Sequence, residues 1–185
     1  MKRRHRRNYN EPGHAHELTF SCFRGLPLLA KDRARQWLAE SIDEARQKHD
    51  FDLWAYVFMP EHVHLIIHPR NDEYDIAVIR RTIKSPVARK AIDYLEQTKS
   101  PFLRRLTRKR GVKSERCFWQ SGGGYDRNIT EAKALEKMID YIHLNPVRRE
   151  LCLLATDWEW SSVNFHVHGT QGQLKVDSIP PDWTA

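Results

Sequence analysis

Met59-Pro60-Glu61-His62-Val63-His64-Leu65-Ile66-Ile67 holds the side chains best suited to chemistry in this sequence. The apolar run predicts a strand over His62 to His68, and alternate side chains of a strand share a face. His62 and His64 then point the same way while Val63 enters the core. Two neutral imidazoles on one face suit a divalent metal, but they equally suit a pair of hydrogen-bonded strand histidines, and spacing does not choose. Ten histidines give two further His-x-His pairs, His14/His16 and His166/His168. The first lies beside Pro12-Gly13 and the second beside Gly169, so only the middle pair sits in a strong strand pattern. His68 reads as a strand-end residue on the same face.

The second candidate lies in a helix predicted from Asn128 to about Leu144, with Asn128 as cap and Glu131 as its capping-box partner. Leu135, Met138, Ile139 and Ile142 form its apolar stripe. At about 100° per residue, Tyr141 and Asn145 fall about 40° apart on the flank next to Met138. Both can therefore reach the edge of the surface this helix packs on. A boundary tyrosine followed by an asparagine helix cap is the plainer reading. His143 points to the opposite flank.

Charge points to a polyanion. Lys and Arg total 31 against 24 acids, a net of +7, and cations placed on phosphates release counterions. Five of the first seven residues are basic. A second cluster between Lys99 and Arg116 contains Arg104, Arg105, Arg108, Lys109, Arg110 and Lys113, with Glu115 as its one acid. Phe102, Phe118, Trp119 and Tyr125 lie close by. They are stacking surfaces for single-stranded nucleic acid, or core residues. Cys22, Cys117 and Cys152 form no Cys-x-x-Cys pair, which excludes a disulfide framework or a cysteine zinc site and implies a reducing, cytoplasmic setting. No apolar run approaches the ~20 residues of a membrane span, and no signal peptide is expected.

These residues need a scaffold. Strands are predicted at Glu17 to Phe23, Phe51 to Phe58, His62 to His68 and Arg116 to Gln120. Helices are predicted at Lys31 to His49, at Tyr74 to Gln97 with a kink or fresh start at Ser85-Pro86, and at Asn128 to Leu144. The basic stretch reads as a loop and Ser121-Gly122-Gly123-Gly124 as a turn. The order predicts an α+β, ferredoxin-like antiparallel sheet with helices packed on one face. Residues 1–16 read as a basic flexible arm, 17–165 as the single domain and 166–185 as a polar tail.

The segment Tyr56-Val57-Phe58-Met59-Pro60-Glu61-His62-Val63-His64-Leu65 resembles the HUH signature (His, bulky hydrophobic, His) of single-strand DNA transposases. Phe118-Trp119-Gln120, Tyr125-Asp126, Tyr141-Ile142-His143-Leu144-Asn145-Pro146-Val147-Arg148 and Trp158-Glu159-Trp160-Ser161-Ser162 follow in the order seen in the REP-associated tyrosine transposase family. Thr19-Phe20-Ser21-Cys22-Phe23 fits that family's first strand. One departure is Glu61, where the family usually has Asn. The resemblance implies Mg²⁺ or Mn²⁺ on His62 and His64, with Asn145 as third ligand and Tyr141 as nucleophile. It also implies single-stranded or hairpin DNA as partner, contacted by Arg104, Arg105, Arg108, Lys109, Arg110, Lys113, Trp119 and Arg148. The implied enzyme is a transposase, a single-strand endonuclease and rejoining activity working through a 5′-phosphotyrosine, acting as a monomer or homodimer near the nucleoid. A domesticated DNA-binding or regulatory protein without catalysis, and a metal hydrolase with water as nucleophile, are the alternatives.

Overall fold

Polar and apolar residues alternate along β1 (Ala15–Ser21), and this assigns the two faces of a sheet. Leu18 and Phe20 enter one core, while Glu17 and Thr19 turn to the other face. The computed structural model describes residues 9 to 184. The basic run Lys2 to Arg7 lies outside the described residues.

β1 is followed by α1 (Asp32–His49), β2 (Phe51–Phe58), β3 (His62–Pro69), α2 (Ile76–Gln97) and a 3-10 turn over Pro101–Leu106. A two-stranded hairpin comes next, formed by β4 (Thr107–Arg110) and β5 (Lys113–Arg116). β6 (Tyr125–Ile129), α3 (Ala132–His143), a short α4 (Asn145–Arg148) and α5 (Val163–His168) complete the order. The main sheet runs β2-β3-β1-β6, antiparallel throughout, which is the strand order of a ferredoxin-like fold.

The expected α+β sheet therefore forms, with α1 and α2 packed together on one face. Their core contains Leu38, Ile42, Ile79, Ile83 and Val87 against Leu18, Phe20, Val63, Leu65 and Ile67. α3 crosses to the opposite face. Its stripe of Leu135, Ile139 and Ile142 packs on Trp54, Ala55, Val57 and Ile66. That face also carries His62 and His64, because they alternate with Val63 and share the side of Ile66.

The fourth strand is Tyr125–Ile129, not the expected 116–120. Tyr125, Asp126, Arg127 and Asn128 carry no apolar signal, because β6 is an edge strand open to solvent on much of its length. Asn128 is consequently a strand residue, and Glu131 takes the N-cap position of α3 without a side-chain cap. Gly124 is needed at the entry to β6. A Cβ there would lie 2.2 Å from the Thr19 carbonyl oxygen, and φ is +75°.

α2 runs unbroken through Pro86. The proline removes the N–H that would bond the Thr82 carbonyl. Ser41 of α1 donates to the Ile83 carbonyl at 2.8 Å, and the Thr82 carbonyl that the proline leaves unpaired lies 3.5 Å from the same hydroxyl. The expected basic loop folds as the β4–β5 hairpin.

Two segments expected to be loose are docked. Asn10 accepts from the Ile76 amide, and Tyr74 donates to the Glu11 carbonyl. In the expected polar tail, Leu174 and Val176 are buried, Asp177 accepts from the Leu53 amide, and Trp183 packs on Trp54. α5 also spans the expected boundary at 165/166.

Candidate active site

Sheet register builds the site. Tyr125, Thr19, His64 and Val57 form one row across the four strands, and Arg127 pairs with Glu17 in the next. His62 and His64 bring their Nε2 atoms to 3.1 Å, with ring planes at 82°. Each ring is held from behind. His62 Nδ1 lies 3.1 Å from Glu61 Oε1, and His64 Nδ1 lies 3.1 Å from Glu17 Oε1 and 2.9 Å from Thr19 Oγ1. The Thr19 hydroxyl donates to that same Glu17 oxygen.

These carboxylates decide the tautomers. A ring nitrogen facing a carboxylate oxygen carries the proton, so both Nε2 atoms present lone pairs. Two lone pairs facing each other at 3.1 Å repel unless a cation lies between them. Ligands at right angles on an ion with bonds of about 2.1 Å would be about 3.0 Å apart. Carboxylate behind imidazole is also the usual second layer of a metal site. The residues thus fit a divalent ion. Among the described residues, no group of three His, Cys, Asp or Glu side chains is arranged to hold a metal, so the pair is a two-point donor. Burial, and then the charge of His64, hold His62 below the ordinary histidine range, favouring the neutral, ligating form.

Glu61, the departure from the family pattern, lies beside the pair but contacts His62 through Nδ1. Arg149 Nη2 sits 2.8 Å from the same carboxylate oxygen, so its charge is balanced.

α3 brings Tyr141 over this face. Its ring centroid is 6.3 Å from that of His64, at 89°, and the residue is 48% exposed. A cavity of about 390 Å³ is lined by Glu17, Thr19, His64, Tyr125, Arg127, Met138 and Tyr141. A neighbouring cleft of about 420 Å³ shares Arg127, Met138 and Tyr141 and adds Lys133 and Lys137 against one acid, Glu131. The approach to the tyrosine is therefore basic.

Not every expected residue joins the site. Asn145 Nδ2 donates to the Tyr141 carbonyl at 3.0 Å and to the Ile142 carbonyl at 3.3 Å, capping α3. Asn145 does not line the cavity around His64 and Tyr141. Arg148 stacks on Tyr141. Trp119 is a core residue: it is buried, packs on Phe20 and donates to the Lys84 carbonyl at 2.8 Å. Arg104, Arg105, Lys109 and Lys113 are exposed, remote from the histidine pair in sequence and element. Arg108 is tied to Glu115 and Ser121. The side chain of Arg110 lies outside the described residues. Sequence reasoning missed Glu17, Thr19, Arg127 and Arg149. Glu17 and Thr19 did occupy the polar phase of a strand pattern, but only the register reveals what they face.

A ferredoxin-like sheet thus carries paired histidines on a central strand, beneath a tyrosine-bearing helix. No family model matches the chain. Over 164 residues it is 27% identical to a protein of Haemophilus influenzae named as a REP-associated tyrosine transposase, covering 84% of each chain. It is 25% identical over 142 residues to the REP-associated tyrosine transposase of Escherichia coli K12, covering 77% of this chain and 71% of that one. In fold it matches the solved structure of a REP-associated tyrosine transposase bound to a REP hairpin, with a TM-score of 0.64 and 20% identity over 97% of this chain and 100% of that one. The chain is a relative of the REP-associated tyrosine transposases and an enzyme of transposase type. Among the described residues, no helix is long and apolar enough to cross a membrane.

Proposed function

We propose that this chain cuts and rejoins single-stranded DNA, on hairpin-forming repeats, through a covalent tyrosine intermediate. One observation carries this reading. A single chain places the Tyr141 ring 6.3 Å from His64, over two imidazoles whose free nitrogens converge at 3.1 Å. One copy thus holds both halves of the chemistry.

Tyr141 Oη attacks a backbone phosphorus in line. The new Oη–P bond forms as the P–O3′ bond breaks, leaving a 5′-phosphotyrosine and a 3′-hydroxyl. The phenol proton leaves to solvent and the departing O3′ takes one up. Mg²⁺ or Mn²⁺, held by His62 and His64, would supply Lewis-acid polarisation of the scissile phosphate. Glu61 and Glu17 keep the two rings in the ligating tautomer. Arg127, Lys133 and Lys137 hold phosphates beside the tyrosine, and Arg148 stabilises its electron-rich ring. The phosphotyrosine conserves the phosphodiester energy, so attack by a 3′-hydroxyl reseals a strand. The cytoplasmic, nucleoid-associated setting expected from the sequence accompanies this reading.

The test is incubation of the protein with a 5′-labelled and a 3′-labelled hairpin oligonucleotide in Mg²⁺ or Mn²⁺, followed by denaturing electrophoresis. An SDS-stable adduct that retains the 3′ part of the strand is expected. Cleavage without an adduct would assign the nucleophile to water. Binding without cleavage would assign a regulatory role.

A further inference from the structure

Arg80 is 6% exposed, yet its Nη1 has no hydrogen-bond partner. A buried guanidinium with an unused donor is expensive, because that N–H has lost water and gained nothing. It lines a cleft of about 310 Å³ together with Arg81, Lys84, Ser85, Trp119 and Gly122-Gly123, and none of the lining residues is an acid. The two acids Arg80 feels are Asp126 and Asp75. Asp75 caps α2 through the amides of Ala77 and Val78, and Asp126 Oδ1 bonds His16. Asp126 Oδ2 is itself unpartnered, so neither acid answers the Arg80 donor.

The rest of the cleft is shaped around that guanidinium. A Cβ at Gly123 would lie 2.6 Å from Arg80 Nη2, so the glycine backbone lies close against the guanidinium. Lys84, one turn along α2, sits over the rings of Phe20 and Trp119 at 5.5 and 5.9 Å and reaches the Gly122 carbonyl at 3.5 Å. Burial, and then the charge of Arg80, pull its ammonium down to about 8. Two cations held together in a partly desolvated cleft call for an anion. Phe20 and Trp119 belong to the core on the α1–α2 side, so the cleft lies across the sheet from His62 and His64. The Gly122–Gly124 turn leads straight into edge strand β6, whose Tyr125 and Arg127 line the tyrosine cavity.

We propose that Arg80 and Lys84, beside the Gly122-Gly123 turn, form a phosphate site, taking a phosphodiester of a nucleic-acid strand that passes round the β6 edge toward Tyr141. A planar guanidinium and an ammonium are the pair that grips a phosphate from two sides. The site needs neither metal nor tyrosine chemistry, so it stands or falls separately from the cleavage reading.

The test uses the full chain carrying Tyr141→Phe, without divalent metal, and two probes: inorganic phosphate and a single-stranded 20-mer. The Trp119 indole N–H, which donates to the Lys84 carbonyl, is the reporter, identified by its loss in Trp119→Phe. Both probes should shift its NMR signal saturably. Lys84→Met keeps the aliphatic stem over Phe20 and removes the charge. It should abolish both shifts, weaken the 20-mer about tenfold and lower the log–log salt slope by about one. Arg80→Gln should do the same where it folds, as judged by the other indole signals. A shift by phosphate alone, with unchanged 20-mer affinity in Lys84→Met, would overturn the strand assignment in favour of a free phosphate or nucleotide. No shift by either probe would overturn the site.

Discussion

The Arg148 guanidinium lies 4.9 Å from the centroid of the Tyr141 ring and donates to the Tyr141 carbonyl at 3.1 Å. The cation thus rides on the proposed nucleophile, fixed by the same turn that ends α3. A cation over an aromatic face is worth about 1 kcal/mol at an exposed position. Arg148→Met should therefore slow cleavage roughly fivefold by weakening support for the electron-rich ring. Tyr141→Phe should abolish both cleavage and adduct while leaving DNA affinity within a few-fold, since only the attacking oxygen is removed. Single-turnover cleavage beside equilibrium binding checks both. Undiminished cleavage by the Phe variant would remove Tyr141 from the reaction and make Tyr125, in the same cavity, the next candidate.

His62→Ala and His64→Ala should each make cleavage undetectable or demand far more Mn²⁺. Glu17→Gln tests the layer behind. It keeps a hydrogen-bond acceptor on His64 but loses the charge, and should raise the metal requirement about 10- to 100-fold. Protons compete with metal for the same nitrogens, and His62 is held below its ordinary range by burial. Activity should accordingly hold down to pH ~6.5 and fall only below it. Full cleavage in EDTA would refute the metal role.

Much of this site was legible as residues and little of it as geometry. The His-Val-His alternation puts both imidazoles on one face whatever the fold, because strand period is 2. Helical period likewise places Tyr141 on the flank next to Met138. The register that sets Thr19 opposite His64, and hence Glu17 behind it, is a tertiary fact with no local signature. β6 is hidden for a related reason. An edge strand of Tyr-Asp-Arg-Asn gains its place from pairing with β1, not from burying a face. Trp119 misleads in the other direction: an indole next to basic residues suggests stacking on bases, whereas Phe20 and the Lys84 carbonyl claim it.

The β4–β5 hairpin presents Lys109 and Lys113 to solvent, after Arg104 and Arg105 on the preceding turn. Changing these four to Glu should weaken DNA binding and flatten its salt dependence, by up to about one unit of log–log slope for each phosphate no longer neutralised. Thermal stability should change little, because none of the four is buried. Affinity titrations across a salt series decide it. An unchanged slope would leave the hairpin as solvated surface.

Low pH should loosen the seam between α3 and α5. His143 is buried, bonds Ser162 Oγ at 2.9 Å and lies with its ring centroid 5.1 Å from that of His166, whose Nε2 lies 2.9 Å from the Trp54 carbonyl. Burial pulls His143 down to about 3 and lowers His166 as well. Both are neutral in the fold while the unfolded chain protonates them near pH ~6.5. Their contribution is therefore present above pH ~6.5 and is lost as pH falls toward the folded value, at up to about 1.4 kcal/mol per pH unit for each histidine. Urea melts between pH ~7 and ~4 should show this slope, and His143→Gln should reduce it. A slope equal to that of the native protein would assign the acid sensitivity to other groups.

Asn145 divides the sequence reading from the geometry most sharply. The family resemblance makes its amide oxygen a third metal ligand, one helical turn beyond the nucleophile. In the fold its amide nitrogen caps the last turn of α3 at the carbonyls of Tyr141 and Ile142, and Pro146 at the start of α4 holds the chain in that turn. A hydrogen bond of this kind is worth about 1 kcal/mol, and here it fixes the helix end that carries Tyr141. The two roles make different demands on the same side chain. Asn145→Ala removes both. Asn145→Asp keeps a hard oxygen but loses the capping N–H. If Asn145 is chiefly a cap, both variants should lower cleavage by a similar modest factor, about fivefold, with the Mn²⁺ midpoint unchanged. A ligand role predicts the opposite pattern: the midpoint rises in the Ala variant and returns toward the native value in the Asp variant, because a carboxylate binds hard cations more tightly than an amide. The cap reading is the one the fold supports. A Mn²⁺ titration of cleavage by both variants, beside the native protein, would overturn it if the midpoint moves about tenfold in Ala and recovers in Asp.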